Sequence, residues 1–206
     1  MQKPIEIFGK WAEEGKDVGM EKGHATSVKD MLNFALQERT NIGKNFSFLD
    51  LGCGNGWAAR KVAENTLCTD AVGLDGAEQM IINAKKIAGQ VEYIHADINS
   101  YIPNRKFDLI HSMEVLYYLE DPAKKVKSFT NDWLEDQGRL IIGIDHYYEN
   151  LDSHSWAEKV GTPMLMLKEA EWLDIFFASG LNDVKSWRSN PSKDWSGTLV
   201  LTGKKG

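Results

Sequence analysis

The stretch FLDLGCGNG, Phe48 to Gly56, constrains this chain more than any other. An apolar run carrying one acid, Asp50, leads into a loop where Gly52, Gly54 and Gly56 alternate with Cys53 and Asn55. A helical pattern follows at once. A buried strand that ends in a glycine loop and opens a helix builds a nucleotide-sized crevice at the carboxyl edge of a parallel sheet. Glycine has no Cβ, so the backbone can turn sharply there and lie against a ligand, as expected for Gly52 and Gly54. Asp50 sits inside the strand, where a carboxylate is costly unless paired. The amino group of an amino-acid-bearing ligand is a natural partner for it.

The rest of the chain alternates short apolar runs with amphipathic stretches, which predicts an α/β layered sheet. Strands are expected over Ser47–Leu51, Ala71–Leu74, Val91–His95, Phe107–Ser112 and Arg139–Ile144. Helices are expected over Gly56–Glu64, Ala77–Ala88 and Pro122–Leu134, with Ala77, Met80, Ile81, Ala84 and Ala88 at helical spacing. A further helix over Lys168–Ser179 precedes two β-like runs, Asp183–Arg188 and Thr198–Thr202, joined by a turn-rich link that reads as an antiparallel hairpin. The organisation expected is one domain: a helical cap over 1–45, a ligand-binding core over 46–145, and a segment with helix and hairpin over 146–206.

Bulk properties exclude several classes. The charge is 24 basic against 30 acidic residues, net -6, with no Lys/Arg cluster, so no nucleic-acid partner is expected. No apolar run is long enough to span a bilayer, and no signal-peptide core opens the chain, so no membrane is expected. The two cysteines, Cys53 and Cys68, fit neither a zinc spacing nor a disulfide framework, which suits a reducing, cytoplasmic setting. No His/Cys/Asp cluster has metal-ligand spacing, and no metal is expected.

Acids close the next two strands. Asp75, beside the glycine loop in such a sheet, can accept from both ribose hydroxyls of an adenosine, and it can also cap the following helix. Asp97 can accept from an adenine amino group. A dinucleotide would use the loop to hold a pyrophosphate, but the spacing G-C-G-N-G lacks the third glycine of G-x-G-x-x-G.

LDLGCGNG, VGLDGAEQMI, HADI, FDLIHSMEVLYYLEDP and GRLIIGI together resemble the successive motifs of class I S-adenosylmethionine-dependent methyltransferases, in the small-molecule branch called methyltransferase type 11. The resemblance runs from about Phe46 to Asp145. It implies a Rossmann-like three-layer sandwich whose mostly parallel seven-stranded sheet has one antiparallel strand. S-adenosylmethionine would lie in the glycine crevice, with S-adenosylhomocysteine as product. Position by position, it implies Gly52, Cys53 and Gly54 beside the methionine part and Asp50 near its ammonium. It implies Asp75 at the ribose, Asp97 and Ile98 at the adenine, Ser112 and Met113 on the fourth-strand side, and Gly76 and Met80 among the cofactor-binding residues. Gly76 and Ala77 stand where the family often has a serine after the acid.

The implied reaction is attack by an O, N, S or C acceptor on the sulfonium methyl, for which positioning supplies much of the rate. The acceptor pocket is expected above the fourth and fifth strands, walled by the cap and the segment after Asp145. His146 is the base candidate because histidine titrates near neutrality, and Asp145 would orient it or bind a basic acceptor. Tyr117 and Tyr118 follow the fourth strand. His24 and Trp11 in the cap are candidates to close over the ligand. A small-molecule acceptor is expected. A catalytically silent S-adenosylmethionine-binding module and a protein methyltransferase are the other readings.

Overall fold

The strands, in chain order, are β1 (Phe46–Leu51), β2 (Cys68–Asp75), β3 (Glu92–His95), β4 (Phe107–Met113), β5 (Leu134–Ile144), β6 (Leu181–Ser189) and β7 (Thr198–Lys205). In the computed structural model, which describes residues 1–206, they form one sheet ordered β3-β2-β1-β4-β5-β7-β6. The pairs β1/β2, β1/β4, β2/β3 and β4/β5 are parallel. Strand β7 runs against both β5 and β6, so it is the one reversed strand. The order turns back at β1 and β4, which puts the crevice of a doubly wound sheet at their carboxyl ends.

Helices cover both faces. Helix α1 (Pro4–Glu13) and the long α2 (Asp17–Ile42) precede the sheet, and α3 (Trp57–Ala63) and α4 (Glu78–Lys85) follow β1 and β2. Helix α5 (Pro122–Ser128) lies between β4 and β5, while α6 (Trp156–Val160) and α7 (Glu169–Ala178) lie between β5 and β6. Strand residues alternate between the two layers, as a period of two demands. Phe46 and Phe48 pack with Val28 and Met31 of α2 and Ala58 and Val62 of α3. Leu49 and Leu51 pack on the other face with Trp133, Trp172 and Phe176. No helix is long and apolar enough to cross a membrane.

The structure corrects one stretch of the expected order. The helix expected over Pro122–Leu134 is α-helical only to Ser128, becomes a π-helical turn over Phe129–Trp133, and hands over to β5 at Leu134. The register with β4 then slips between Phe107 and Leu109, where Gln137 has a positive φ of 63°. At Gly138 a Cβ would stand 2.7 Å from the Glu135 carbonyl oxygen, so this glycine permits the bulge. The start of β5 is exposed and bulged, and its apolar run therefore begins only at Leu140.

One buried charge ties the layers together. Arg139 on β5 is 1% exposed. It donates to Glu38 of α2 through Nε (2.7 Å) and Nη2 (3.0 Å), to Asp183 Oδ2 (2.8 Å) and to Thr202 Oγ1 (3.0 Å). Burial raises the Glu38 pKa, but hydrogen bonds from Arg139 and Lys204 outweigh it and hold the carboxyl at about 2. Removing one partner of such a network strands the others. Arg139→Met should lower stability by about 2–3 kcal/mol at neutral pH, discounted for the partial exposure of Glu38 and Asp183. The loss should shrink as pH falls from 4.5 toward 2, where Glu38 protonates in the wild type too. Urea denaturation across that range measures it.

Candidate functional site

The loop after β1 is held by the end of β2. The Gly52 and Cys53 N–H groups both donate to the Leu74 carbonyl, at 2.8 and 3.0 Å, and the Gly54 N–H donates to Asp75 Oδ2 at 2.9 Å. Asp75 Oδ1 accepts from the Ala77 N–H at 2.8 Å. Burial raises the Asp75 pKa against these two hydrogen bonds, and Asp75 stays half-buried on a cavity wall. Gly52 is required twice over: its φ is +67°, and a Cβ there would stand 2.2 Å from Val115 Cγ2. At Gly56, φ +79°, a Cβ would meet Tyr93 at 2.4 Å.

These bonds decide what the loop can bind. The N–H groups of Gly52, Cys53 and Gly54 are spent as described, that of Gly56 goes to the Cys53 carbonyl, and that of Trp57 to Asn55 Oδ1. Those five N–H groups are therefore not available to a pyrophosphate. The loop offers close backbone approach instead.

The cavity above the loop measures about 1150 Å³ and runs along the carboxyl ends of the strands. Asp50, Gly52, Cys53, Gly54, Asp75, Gly76, Met80, Asp97, Ile98 and Met113 all line it. The cap forms its roof. A Cβ on Gly76 would meet Ile5 Cγ2 of α1 at 2.6 Å, so a larger residue after Asp75 would collide with the cap. Asp97 is exposed and its Oδ1 accepts from both the backbone and the side chain of Asn99, while Ile98 is buried beside it. Cys53 is a buried thiol whose pKa is raised by burial and then by the charges of Asp75 and Asp50.

Asp50 has an internal partner: its Oδ1 lies 2.7 Å from His111 Nδ1, and both side chains line the cavity while nearly fully buried. His111 Nε2 has no partner.

Three expected positions fall elsewhere. Ser112 is fully buried and absent from the cavity wall; its Oγ donates to the Leu51 carbonyl at 2.9 Å, joining β4 to β1. His146 is 1% exposed, with Nδ1 on the Ser153 carbonyl at 3.0 Å. It lies one layer behind the wall, between the rings of Tyr117 and Trp156, which do line the cavity. Burial lowers its pKa. Asp145 also sits behind the wall, 6% exposed, with burial pushing its carboxyl up to about 6. Sequence spacing missed Glu114, which stands on the wall directly after β4 with a φ of 61°. Its Oε2 accepts from the Tyr117 hydroxyl at 2.6 Å and its Oε1 from the Asp145 N–H. A polar residue following an apolar strand was the only signal for it. The structure also gathers His24, Glu114 and Asp145, whose potential ligating atoms lie within 4.8 Å of one another, although no motif spacing joins them.

Fold and site together define a doubly wound sheet presenting a nucleoside-sized cavity at its switch point. Comparisons with known proteins point to a family. The family described as "Methyltransferase domain" matches residues 49–142. Trans-aconitate 2-methyltransferase of Azoarcus sp. is 33% identical over 164 residues, covering 74% of this chain and 64% of that protein. The chain spans about half to two thirds of the length of the first curated relatives it matches, at 64%, 45% and 46%. Among solved structures, a complex between the Haloferax volcanii Trm112 methyltransferase activator and a candidate methyltransferase matches with a TM-score of 0.82 at 24% identity, covering 99% of this chain and 98% of that one. Magnesium protoporphyrin IX methyltransferase from Synechocystis, with bound S-adenosylmethionine, matches with a TM-score of 0.67 at 15% identity, over 91% and 82% of the two chains. Residues 49–142 match the methyltransferase domain family, and the chain is similar in sequence and fold to S-adenosylmethionine-dependent methyltransferases of class I. S-adenosylmethionine is the family's cofactor.

The residues present fit that group. The cavity is lined by seven acids (Asp17, Glu21, Asp50, Asp75, Asp97, Glu114 and Glu120) against two lysines and no arginine, which suits a ligand carrying a sulfonium and an ammonium.

Two outcomes are expected. Gly52→Ala should cost at least about 2 kcal/mol, through both the positive φ and the clash, and adding Val115→Ala should recover only the clash. Denaturant titration of the single and double variants checks this. For Asp145, the folded pKa of about 6 exceeds the ordinary carboxyl value of 3.8, so its contribution to wild-type stability should fall as pH rises between those values. Asp145→Asn should lessen the fall of stability over this range, the raised Glu114 and Asp75 carboxyls keeping part of it, and be the more stable protein above pH 6, by about 3 kcal/mol at most. Melting temperatures from pH 4 to 8 measure it.

Proposed function

We propose that this protein transfers a methyl group from S-adenosylmethionine to a small-molecule acceptor. The observation that carries this reading is the cavity itself: one continuous space joins the Asp75 end, suited to a nucleoside, to the β4 and β5 end, where Glu114, Tyr117 and Tyr118 stand. When bound, S-adenosylmethionine supplies an electrophilic methyl on a positively charged sulfur. Asp75 holds the ribose through the lone pairs that Gly54 and Ala77 leave free. Asp97 and Ile98 flank the base, with Gly76 and Met80 on the near side. Asp50, oriented by His111, faces the amino-acid end beside Gly52, Cys53, Gly54 and Met113. The protein's work is then to align the acceptor and exclude water, which in well-oriented cases is worth about 7–11 kcal/mol of barrier.

The cap supports a small acceptor over a protein side chain. Ile5, Phe8 and Trp11 line the cavity from α1. The Gln2 N–H donates to the Gly161 carbonyl at 3.0 Å and Thr162 Oγ1 donates to the Gln2 carbonyl at 2.9 Å, so the start of the chain is fastened to the segment after β5. The chain's own amino-terminal segment thus walls part of the cavity, which favours a small acceptor. Names of relatives include both acid and porphyrin methyltransferases, which supports small molecules as a class.

Isothermal titration with S-adenosylmethionine, S-adenosylhomocysteine and NAD tests the reading. The first two should bind and NAD should not. Asp75→Ala should weaken S-adenosylhomocysteine about 10–100-fold, the loss of one to two hydrogen bonds to a charged group. Unchanged affinity in that variant would remove Asp75 from the site.

A further inference from the structure

The end of the cavity away from Asp75 has a chemistry of its own. His24 of α2 and Glu114 after β4 line it, and Asp145, the residue after β5, stands just behind them with a carboxylate oxygen within 4.8 Å of both. Neither carboxylate has a Lys or Arg salt-bridge partner. Asp145 Oδ1 is buried with no hydrogen-bond partner, in a side chain more than nine-tenths buried. An orphaned buried carboxylate oxygen costs stability unless a ligand completes it. Resting on the methyltransferase reading above, we infer that Glu114, Asp145 and His24 form the recognition site for the acceptor, and that the acceptor is an aryl-alkyl amine entering as its ammonium ion.

Four observations carry the class. The two carboxylates offer acceptors and no donors at the cluster except through His24. Acceptor atoms within 4.8 Å of one another suit the spread of hydrogen bonds around one tetrahedral nitrogen, about 4.6 Å for bonds of about 2.8 Å. The neighbouring wall is aromatic: the tilted rings of Tyr117 and Tyr118 lie 4.4 Å apart, Phe8 meets Tyr118 edge-on at 5.3 Å, and Trp156 also lines the cavity. Ring faces favour an organic cation and an attached ring alike. Finally, the only basic side chains on the wall are Lys3 and Lys16, both from the cap, and Lys16 is paired with Glu14 at 2.6 Å. A carboxylate acceptor, such as the trans-aconitate named for one relative, would have no arginine to meet it here. A hard metal ion fits less well, because such ions take six or more oxygen ligands and two carboxylates supply four oxygens at most.

The transfer balances on these groups. The ammonium gives one proton to the Asp145 carboxylate, and burial already pushes the pKa of that carboxyl upward toward neutrality. The freed nitrogen lone pair forms the N–C bond as the methyl's C–S bond breaks, its electron pair remaining on sulfur as a neutral thioether. The product leaves as a methylated ammonium, and the proton passes from Asp145 to water.

The test is a calorimetric titration of the full chain, with and without saturating S-adenosylhomocysteine, using three matched probes: 2-phenylethylammonium, 2-phenylethanol and 3-phenylpropionate. The ammonium should bind at least tenfold tighter than either of the others. Glu114→Gln and Asp145→Asn should each weaken the ammonium at least tenfold while S-adenosylhomocysteine affinity stays within threefold. Circular dichroism confirms folding, and either variant alone suffices if the other does not fold. With S-adenosylmethionine present, mass spectrometry should find the N-methylated amine. Equal or tighter binding of the alcohol or the acid, binding of none of the three, or ammonium affinity unmoved in both variants overturns the inference. So does ammonium binding that appears only when Mg2+ is added. Failure of S-adenosylhomocysteine to bind the wild type counts against the methyltransferase reading instead, and the titrations without it still decide the ammonium site.

Discussion

The coupling of the glycine loop to the end of β2 is the constraint on which the rest of the site depends. One carbonyl, that of Leu74, takes two N–H groups from the loop, and Asp75 takes a third while also starting α4. The same carboxylate thus shapes the backbone that a nucleoside must approach and remains on the cavity wall to receive it. The loop cannot relax without moving Asp75, and Asp75 cannot turn away without stranding the Gly54 N–H. Pre-organisation of this kind removes an ordering cost from binding. It also explains why glycine stands at 52, where Val115 from the turn after β4 fills the space a Cβ would take.

Much of this was legible in the sequence because it is local. The run from Phe48 to Gly56 carries strand, loop and helix start within nine residues, and the acids at 75 and 97 close strands whose apolar periods are plain. The seven-stranded sheet with one reversed strand followed from the resemblance and is the sheet observed. What stayed hidden depends on contacts distant in sequence. Asp50 reads as awaiting a ligand's ammonium, yet its partner is His111, 61 residues on. Ser112 and His146 occupy plausible sequence positions, but the pleat of β4 turns Ser112 toward the Leu51 carbonyl, and the loop after β5 packs His146 against the Ser153 carbonyl. Glu114 has no periodicity to announce it, because it is a single residue in left-handed conformation between a strand and a turn. Only the convergence of α2, β4 and β5 gives it neighbours.

Charge is distributed along the cavity with a purpose that the net value of -6 does not reveal. Arg139 and Arg39 are buried at the opposite, amino-terminal side of the sheet's central strands, where they bind Glu38 and Asp108. The guanidinium groups therefore hold the layers together, and the acids are left to govern the carboxyl-terminal edge. A fold that spends such arginines on its own framework presents a predominantly acidic opening to solvent, one that concentrates cations and turns anions away.

The bonds joining Gln2 to Gly161 and Thr162 have a practical corollary for anyone handling this protein. Met1 itself lies on the cavity wall. Peptide joined ahead of it emerges at the rim rather than at a remote corner, within reach of the opening. A purification handle placed there becomes a tethered competitor at high local concentration, and a histidine-rich or lysine-rich one is drawn in by the acids below. The far end of β7, at Gly206, offers a neutral point of attachment, since the last strand delivers it to the other side of the sheet.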